Sequence, residues 1–459
     1  MTRRTTFIGD RAAPIASDRR QRGDGLAVVG QLPIPEILSL SLFFLMSVQI
    51  LGPIGVVLQC GLWLLLLMHM IIFNPKAFLG IFKWWPILLV PMFALASTAW
   101  SVVPDVSMRF SIQLIMTALI GITIAKAVTA RRFVALLFLA MALMCIVSLA
   151  TGISGPGPKG PVLIGLTGSK NEMAYAAQML TTVSFAVLID RGQAMTLRLG
   201  AMGGLVLGAG LLAFGQAAGA VLTTASSLVV LVAVATLHLF KLQGRLVILA
   251  VCGILLTPVA IAHEQITTAV ERIVFDVFDK DASLSGRTYL WDRADDLIRE
   301  KPVLGRGWRA TMAGGTVEGQ GILRWAGVTD GRGFHFHNTY RDVAVDLGFV
   351  GVGLFAGTLL LGLFSLLRNV VFHPTPPYGF FLAALLVIIA KSNGELVINQ
   401  FVLTGSLLFG LMVWCYGKPR DDAQWQARVV APDGAMLKRT ANARLAAEPV
   451  RVALPIRPR

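Results

Sequence analysis

The feature that most constrains this chain is a series of apolar segments, each close to the length that crosses a lipid bilayer. A membrane-spanning helix needs about 20 mostly apolar residues, and lipid offers no partner to unsatisfied backbone groups. The sequence therefore predicts an all-α integral membrane protein with about twelve transmembrane helices. The predicted spans are 36–51, 54–73, 84–99, 109–127, 133–151, 172–190, 199–215, 219–239, 246–263, 344–367, 379–394 and 400–416.

The charge composition supports this class and excludes most soluble proteins. Only 14% of the 459 residues are charged and 55% are apolar, whereas soluble domains carry about 25% charged residues. In a soluble protein the net charge of +15 would indicate a nucleic-acid partner. Here the basic residues of the short connections fall on alternate predicted turns, as the positive-inside rule requires of cytoplasmic segments. We expect no nucleic-acid partner, and we place both termini in the cytoplasm.

This alternation divides the chain into five segments and leaves one large loop facing outward. The N-terminal segment lacks the apolar stretch of a signal peptide. The loop, with about 80 residues, is far longer than an ordinary connection, and its Trp and Tyr residues predict that it is folded. The segments are a cytoplasmic tail at 1–35, spans one to nine at 36–263, a periplasmic catalytic loop at 264–343, spans ten to twelve at 344–416, and a basic cytoplasmic tail at 417–459.

Within this loop, apolar residues at helical spacing predict an amphipathic helix from Thr288 to Glu300, capped by Ser285 and lying on the membrane face. The loop is also rich in Arg. One interpretation is a solvated surface of mixed charge, which long translocated loops tolerate. The other is a site for an anionic ligand, since Arg is the preferred bidentate partner of phosphate and the phosphates at a bilayer surface are lipid-linked.

Polar residues at two further places are candidates for chemistry. Lys170 and Asn171 stand at the outer end of the sixth predicted span, where Lys170 either binds a phosphate or extends to the interface. His335 and His337 precede the tenth span. A metal site would need a third ligand at a suitable spacing, so we predict no metal. A general base, for which the pKa of histidine is suited, and interfacial hydrogen bonding both remain open.

Several short motifs together resemble the superfamily of O-antigen ligases and O-antigen polymerases. Their order and spacing carry the resemblance, which covers roughly residues 90–415. The motifs are Trp100-Ser101 with Pro104, Gly168-Ser169-Lys170-Asn171-Glu172, Ser285-Gly286-Arg287 with Trp291, Pro302-Val303-Leu304-Gly305-Arg306-Gly307, His337-Asn338, and Leu347-Gly348-Phe349-Val350-Gly351.

The resemblance implies an integral-membrane glycosyltransferase of the GT-C type. Such enzymes transfer a glycan from a polyprenyl diphosphate carrier to a sugar hydroxyl on the outer face of the inner membrane, with no cofactor and no divalent metal. By this resemblance Arg287 contacts the carrier diphosphate, and His337 removes the acceptor proton during an inverting attack. Further candidate substrate-binding residues are Lys170, Asn171, Arg306, Asn338 and Trp291.

One stretch departs from the pattern of the superfamily. Members usually carry a basic residue between the seventh and eighth spans, whereas this chain has Phe214-Gly215-Gln216-Ala217-Ala218-Gly219-Ala220. A basic ligand for the diphosphate is therefore missing there. Either Lys170 or Arg306 replaces it, or the binding mode differs.

Alternatives remain open both for the acceptor and for the class of protein. The short loop at 97–109 and the compact large loop look like those of succinoglycan-type polymerases, which favours polymerisation of exopolysaccharide repeat units. Ligation of a glycan to the lipid A core is the alternative within the superfamily. A transporter is the more distant one, disfavoured because few charges lie within the spans and no internal repeat is evident. Expected partners are the lipid-linked donor, a glycan or lipid A core acceptor, membrane lipid and polysaccharide-assembly proteins.

Overall fold

The computed structural model describes residues 34–157, 160–215, 217–248, 285–313, 315–329 and 334–417, and most of them are helical. Helices α1 to α9 are Ile34–Ser47, Gly52–Phe73, Pro75–Leu79, Leu89–Ala96, Pro104–Ala127, Ala130–Thr151, Lys170–Ile189, Met195–Phe214 and Ala218–Leu237. Helices α10 to α15 are Ser285–Glu300, Ala310–Ala313, Val317–Trp325, Thr339–Phe372, Pro376–Lys391 and Leu403–Tyr416. Three 3-10 helices are Gly80–Leu88, Ser97–Ala99 and Gly165–Thr167. Strands β1 (Ser154–Gly155) and β2 (Val162–Leu163) pair antiparallel.

Eight helices within the described ranges are long and apolar enough to cross a membrane. They are α2, the Pro75–Ala99 segment, α5 to α9, and α13. Shorter apolar helices, α1, α14 and α15, stand at the predicted first, eleventh and twelfth spans. All but the first three residues of the predicted ninth span, 246–263, lie outside the described residues. The prediction of an all-helical membrane protein is thus confirmed, while the number twelve stays a prediction.

Two predicted boundaries differ from the structure for local reasons. The third span, predicted to begin at residue 84, starts as the 3-10 helix Gly80–Leu88, which contains Pro86; proline lacks the N–H that a regular helix needs. The tenth span was predicted from residue 344, but α13 begins at Thr339 because the Asn338 side chain caps it. Within the large loop, the predicted helix is confirmed as α10 and ends at Glu300. The side chain of its predicted cap, Ser285, lies outside the described residues.

The chain forms two compact units. The first comprises Met1–Trp63, Val134–Asp292 and Pro374–Glu395. In it α7 packs against α8, α9 and α14. Small residues allow the close crossing of α7 and α8, since a Cβ added to Gly208 would stand 2.4 Å from Thr181 Oγ1. Apolar side chains gain little by leaving lipid, because lipid tails are equally apolar. Helices in a membrane therefore associate through close packing, which small residues permit.

The second unit comprises Leu64–Phe133, Arg293–His373 and Leu396–Arg459. In it α5 packs against α15, and α13 packs against both α15 and α4. The α5–α15 crossing depends on a glycine, because a Cβ on Gly121 would stand 2.1 Å from the carbonyl oxygen of Ser406.

A break within α13 connects the second unit's long helix to the segment after α10. Gly348 adopts φ 66° and ψ −170°, a conformation that is essentially restricted to glycine. After Gly348, the next two N–H groups do not donate to carbonyl groups earlier in the same helix. Phe349 N–H donates instead to the Pro302 carbonyl at 2.8 Å, and Val350 N–H donates to the Val303 carbonyl at 3.3 Å.

The carbonyl groups on the other side of this break find partners in the same segment. Val345 accepts a hydrogen bond from Arg306 N–H at 2.9 Å, and Asp346 accepts one from Gly307 N–H at 2.8 Å. The break therefore leaves these backbone groups hydrogen-bonded, as most backbone groups of a folded protein are. Two family-like motifs, at 302–307 and 347–351, meet at this exchange of hydrogen bonds.

A third motif joins the same place. Trp100 Nε1 donates to the Leu304 carbonyl at 2.8 Å, and Gly307 lies so close to Ser101 that an added Cβ would stand 2.2 Å from its Oγ. Residues from three distant parts of the sequence thus form one backbone junction in the second unit.

We predict that this junction tolerates no side chain at Gly348. In Gly348→Ala the Cβ would stand 2.2 Å from the Val303 carbonyl oxygen, and the backbone conformation would be strained as well. We expect a loss of at least about 2 kcal/mol of stability, measured by thermal unfolding in detergent. Gly353→Ala, in the same helix but with nothing within 4 Å of its added Cβ, should match the wild type. Equal unfolding temperatures for the two variants would contradict the prediction.

Candidate active site

The first unit contains a cavity of about 300 Å³ among the ends of its helices. The N-terminal halves of α7 and α9, the first turn of α10 and the C-terminal end of α14 contribute to its wall. The lining residues are Asn171, Ala174, Tyr175, Gln178, Ala217, Gly219, Ala220, Thr223, Arg287, Val387, Ala390, Lys391, Gly394 and Glu395. Polar and charged side chains thus stand beside small apolar ones.

Two ion pairs set the charge of this cavity. Glu395 Oε1 accepts a hydrogen bond from Asn171 Nδ2 at 2.8 Å and lies 3.7 Å from Arg287 Nη2. Lys391 Nζ donates to Glu172 Oε1 at 2.9 Å. Its ammonium also lies 3.8 Å from the centre of the Tyr175 ring. Two cations are therefore balanced by two carboxylates.

The cavity brings together two of the candidate residues predicted from the sequence. Arg287 and Asn171 both line it and share Glu395 as a partner. Lys170, one residue earlier in α7, is not among the lining residues. Trp291 stands four residues after Arg287 in α10, which places both on one face of that helix.

Sequence reasoning missed Lys391, Glu395 and Gln178. A usable signal existed for Lys391, because it falls inside the predicted eleventh span, and an ionisable residue within a span is a functional candidate by default. Gln178 gave a similar but weaker signal inside the sixth span. Nothing in the sequence pairs Glu395 with Arg287, since they lie on different elements.

In the second unit, the His337 backbone has an uncommon conformation. Its φ is 52°, a region that few residues other than glycine adopt and that recurs at functional sites. His337 N–H donates to His335 Nδ1 at 3.0 Å, and the two ring centres are 4.4 Å apart. Because His335 Nδ1 accepts this bond, a neutral His335 ring carries its proton on Nε2.

The residues around His337 hold it in this conformation. Asn338 is the N-cap of α13, and its side-chain oxygen accepts the N–H of Arg341 at 3.0 Å. Phe336 N–H donates to Asp342 Oδ1 at 3.1 Å. Arg341 forms two hydrogen bonds to Asp295, at 3.0 and 3.3 Å. The predicted substrate-binding residue Asn338 is therefore a helix cap, and any further role stays a prediction.

A buried arginine connects this motif to the backbone junction at Gly348. Arg309 N–H donates to Asp346 Oδ2 at 2.8 Å. Its guanidinium donates to the Phe334 carbonyl at 3.1 Å. The segment that leads into His337 is thus connected through Arg309 to Asp346, beside the backbone junction.

Arg306, a further candidate, already has two carboxylate partners. Its Nη1 donates to Glu300 at 2.6 Å and its Nη2 to Glu318 at 2.9 Å, with only 8% of the side chain exposed. The backbone N–H of Glu318, and then the Arg306 guanidinium, lower the pKa of the Glu318 carboxyl, which favours its carboxylate form. Both guanidinium ends are engaged, and a contact to substrate stays a prediction.

Comparison with known proteins shows which family part of this chain matches. Residues 203–356 match the family model described as O-antigen ligase. The resemblance to the O-antigen ligases is confirmed. This O-antigen ligase match contains the segments at 302–307 and 345–350 that exchange backbone hydrogen bonds at Gly348, whereas Trp100 and Ser101 lie outside it. It also contains Arg287, Trp291, Arg306, His337 and Asn338, whereas Asn171 and Lys391 lie outside it.

One relative extends the similarity along most of the chain. The exopolysaccharide production protein ExoQ of Rhizobium meliloti (strain 1021) is 26% identical over 346 residues. The aligned part covers 74% of this chain and 78% of that relative. The likeness thus reaches well beyond the O-antigen ligase domain.

Proposed function

We propose that the chain is an inner-membrane glycosyltransferase that moves a glycan from a polyprenyl diphosphate carrier to a sugar hydroxyl on the periplasmic side. The observation that carries the proposal is the cavity of the first unit, where Arg287 stands among the ends of membrane-type helices. A cation at that position suits a phosphate group attached to a lipid. The O-antigen ligase match and the exopolysaccharide relative support the same class of reaction.

The chemistry requires little beyond charge stabilisation and one proton transfer. The bond from the anomeric carbon to the diphosphate oxygen breaks, and the carrier diphosphate leaves with the electron pair. Arg287 stabilises the negative charge that develops on it. The acceptor hydroxyl attacks from the opposite face of the sugar, so the anomeric configuration inverts. His337 takes the hydroxyl proton as the new glycosidic bond forms.

His337 is suited to this role by its setting. Its strained φ persists because the cap at Asn338 and the bonds around Asp342 hold the backbone in place. A base held by its surroundings loses little freedom when it meets the acceptor, which is the advantage of preorganisation. His335 has its Nδ1 engaged by a backbone N–H, so it is the weaker candidate.

We further propose that the acceptor is the growing end of an exopolysaccharide. The similarity to an exopolysaccharide production protein favours this acceptor, and the lipid A core is the alternative. Purified protein supplied only with lipid-linked repeat units should produce a ladder of polymers. If product formed only after addition of a lipid A core acceptor, polymerisation would be excluded and ligation would replace it.

The orientation of the described loop can be tested by cysteine labelling. Gly321 is exposed and its added Cβ meets nothing within 4 Å, so Gly321→Cys is structurally tolerable. In a background without the four native cysteines, we expect an impermeant thiol reagent to label Gly321→Cys in intact spheroplasts, because 315–329 should face outward. Ala435→Cys, in the C-terminal tail, should react only after lysis. The reverse pattern would overturn the proposed orientation.

The diphosphate role of Arg287 predicts sensitivity even to a conservative change. Arg287→Lys keeps the charge but loses the planar fork, so we expect transfer to fall by at least about tenfold, the value of one contact between charged groups. The matched change Arg324→Lys, at an exposed residue of α12, should have no effect. Initial rates with a polyprenyl diphosphate donor measure both. Wild-type rates for Arg287→Ala would remove the residue from the mechanism.

The base role of His337 predicts a difference between the two histidines. We expect His337→Ala to reduce transfer by about 100- to 10,000-fold, the usual contribution of a general base, while donor binding is retained. His335→Asn keeps an acceptor for the His337 N–H and should leave much of the activity.

A chelator separates this mechanism from a metal-dependent one. We expect no effect of chelation on the rate. Activity that is lost on chelation and restored by a divalent ion would replace the base with a metal ligand, since both imidazoles can serve as ligands.

A further inference from the structure

The cavity of the first unit contains a cation that could compensate for the missing basic residue between α8 and α9. On the α9 side its wall consists of Ala217, Gly219, Ala220 and Thr223, without a charged side chain. Lys391 lines the same cavity from α14. We propose that Lys391, together with the amino terminus of α9, binds the phosphate oxygens of the lipid-linked donor in place of that residue. This inference rests on the proposed function.

The surroundings of Lys391 hold its ammonium at the cavity wall and leave it able to bind. Only 12% of the side chain is exposed, and a buried charge requires partners. Glu172 takes one of its three N–H groups at 2.9 Å, and the Tyr175 ring lies against it at 3.8 Å. An ammonium with three donors therefore keeps at least one for an anionic oxygen.

Gln178 independently indicates a ligand with acceptor oxygens. It lines the cavity and is 97% buried, with 3% relative exposure. Its Nε2 has no hydrogen-bond partner among the described residues. Buried amide groups are nearly always satisfied, so an oxygen of a bound molecule in this cavity would complete the site.

The amino terminus of α9 offers the remaining donors. Its own bonds begin with the N–H groups of Ala220 and Val221, which donate to the Ala217 carbonyl at 3.1 and 3.3 Å. The N–H groups of Ala218 and Gly219 come before these bonds, and Ala217 at the cap position makes no side-chain cap bond. A Cβ placed on Gly219 would meet nothing within 4 Å, so a ligand can approach the backbone closely. The positive end of a helix is a ready site for phosphate. Backbone N–H groups beside small residues thus take the place of a basic side chain at this end of α9.

Glu172 and Glu395 act as counterions while no anion is bound. Each pairs with one cation of the cavity, and an anionic ligand would compete with them for Lys391 and Arg287. Removing the charge of Glu172 therefore removes a competitor and leaves the Lys391 cation intact. This separates a ligand contact from a purely structural ion pair, for which loss of either partner would have the same effect.

Binding of farnesyl diphosphate to the detergent-solubilised full chain, measured by calorimetry, tests the proposal. We expect Lys391→Gln to weaken binding by at least about tenfold, since a contact to a charged group is lost. Lys391→Arg keeps the charge and should stay within about threefold of the wild type. Glu172→Gln should bind as tightly as the wild type or more tightly. Arg299→Gln, which changes an arginine with 76% of its side chain exposed, is the control and should match the wild type.

Thermal unfolding of each variant distinguishes a loss of binding from a loss of folding. The glycan transfer rate tests the proposed function separately. If Lys391→Gln binds like the wild type while Arg287→Ala does not, the role of Lys391 is overturned and the proposed function stands. Equal losses of binding and of unfolding temperature in Lys391→Gln and Glu172→Gln would make the pair structural, which also overturns the inference. A folded wild type that neither binds farnesyl diphosphate nor transfers glycan would overturn the proposed function itself.

Discussion

The second unit depends on the exchange of backbone hydrogen bonds at Gly348. A helix within a membrane protein cannot leave N–H and C=O groups unpaired, so a break in α13 is possible only because the segment at 302–307 supplies both donors and acceptors. Arg309 links this junction to the Phe334 carbonyl. The backbone at His337 can therefore hold a strained φ, since the strain is offset by well-bonded neighbours.

The first unit differs because it holds charged side chains beside apolar helices. An isolated ammonium or guanidinium would be costly there, and the structure pairs Lys391 with Glu172 and Arg287 with Glu395. Such pairs rarely add much stability, because desolvation offsets their attraction. Their value lies in keeping two cations in place at a cavity whose buried Gln178 amide finds no acceptor in the part of the chain that the structure describes.

Much of the fold was predictable because lipid restricts a spanning chain to regular helices. Most predicted spans coincide with helices, and the helix that ends at Glu300 followed from its apolar spacing. The boundaries were less certain. The predicted start of α13 was late because hydropathy responds to apolar residues, whereas the helix begins where the polar Asn338 caps it. Motifs identified Arg287 and Asn171 as candidate site residues, whereas the sequence predicted Lys391 only as part of a membrane span.

Local composition and backbone sterics fix the helices, the glycines that the close approaches require, and the histidine motif before α13. Which charges share a cavity depends instead on how the helices pack together. Arg287, Asn171 and Glu395 come from three segments that are far apart in the chain, and no periodicity connects them. Packing of α7 against α9 and α14 brings such residues together, and packing depends on contacts between side chains that hydropathy does not encode.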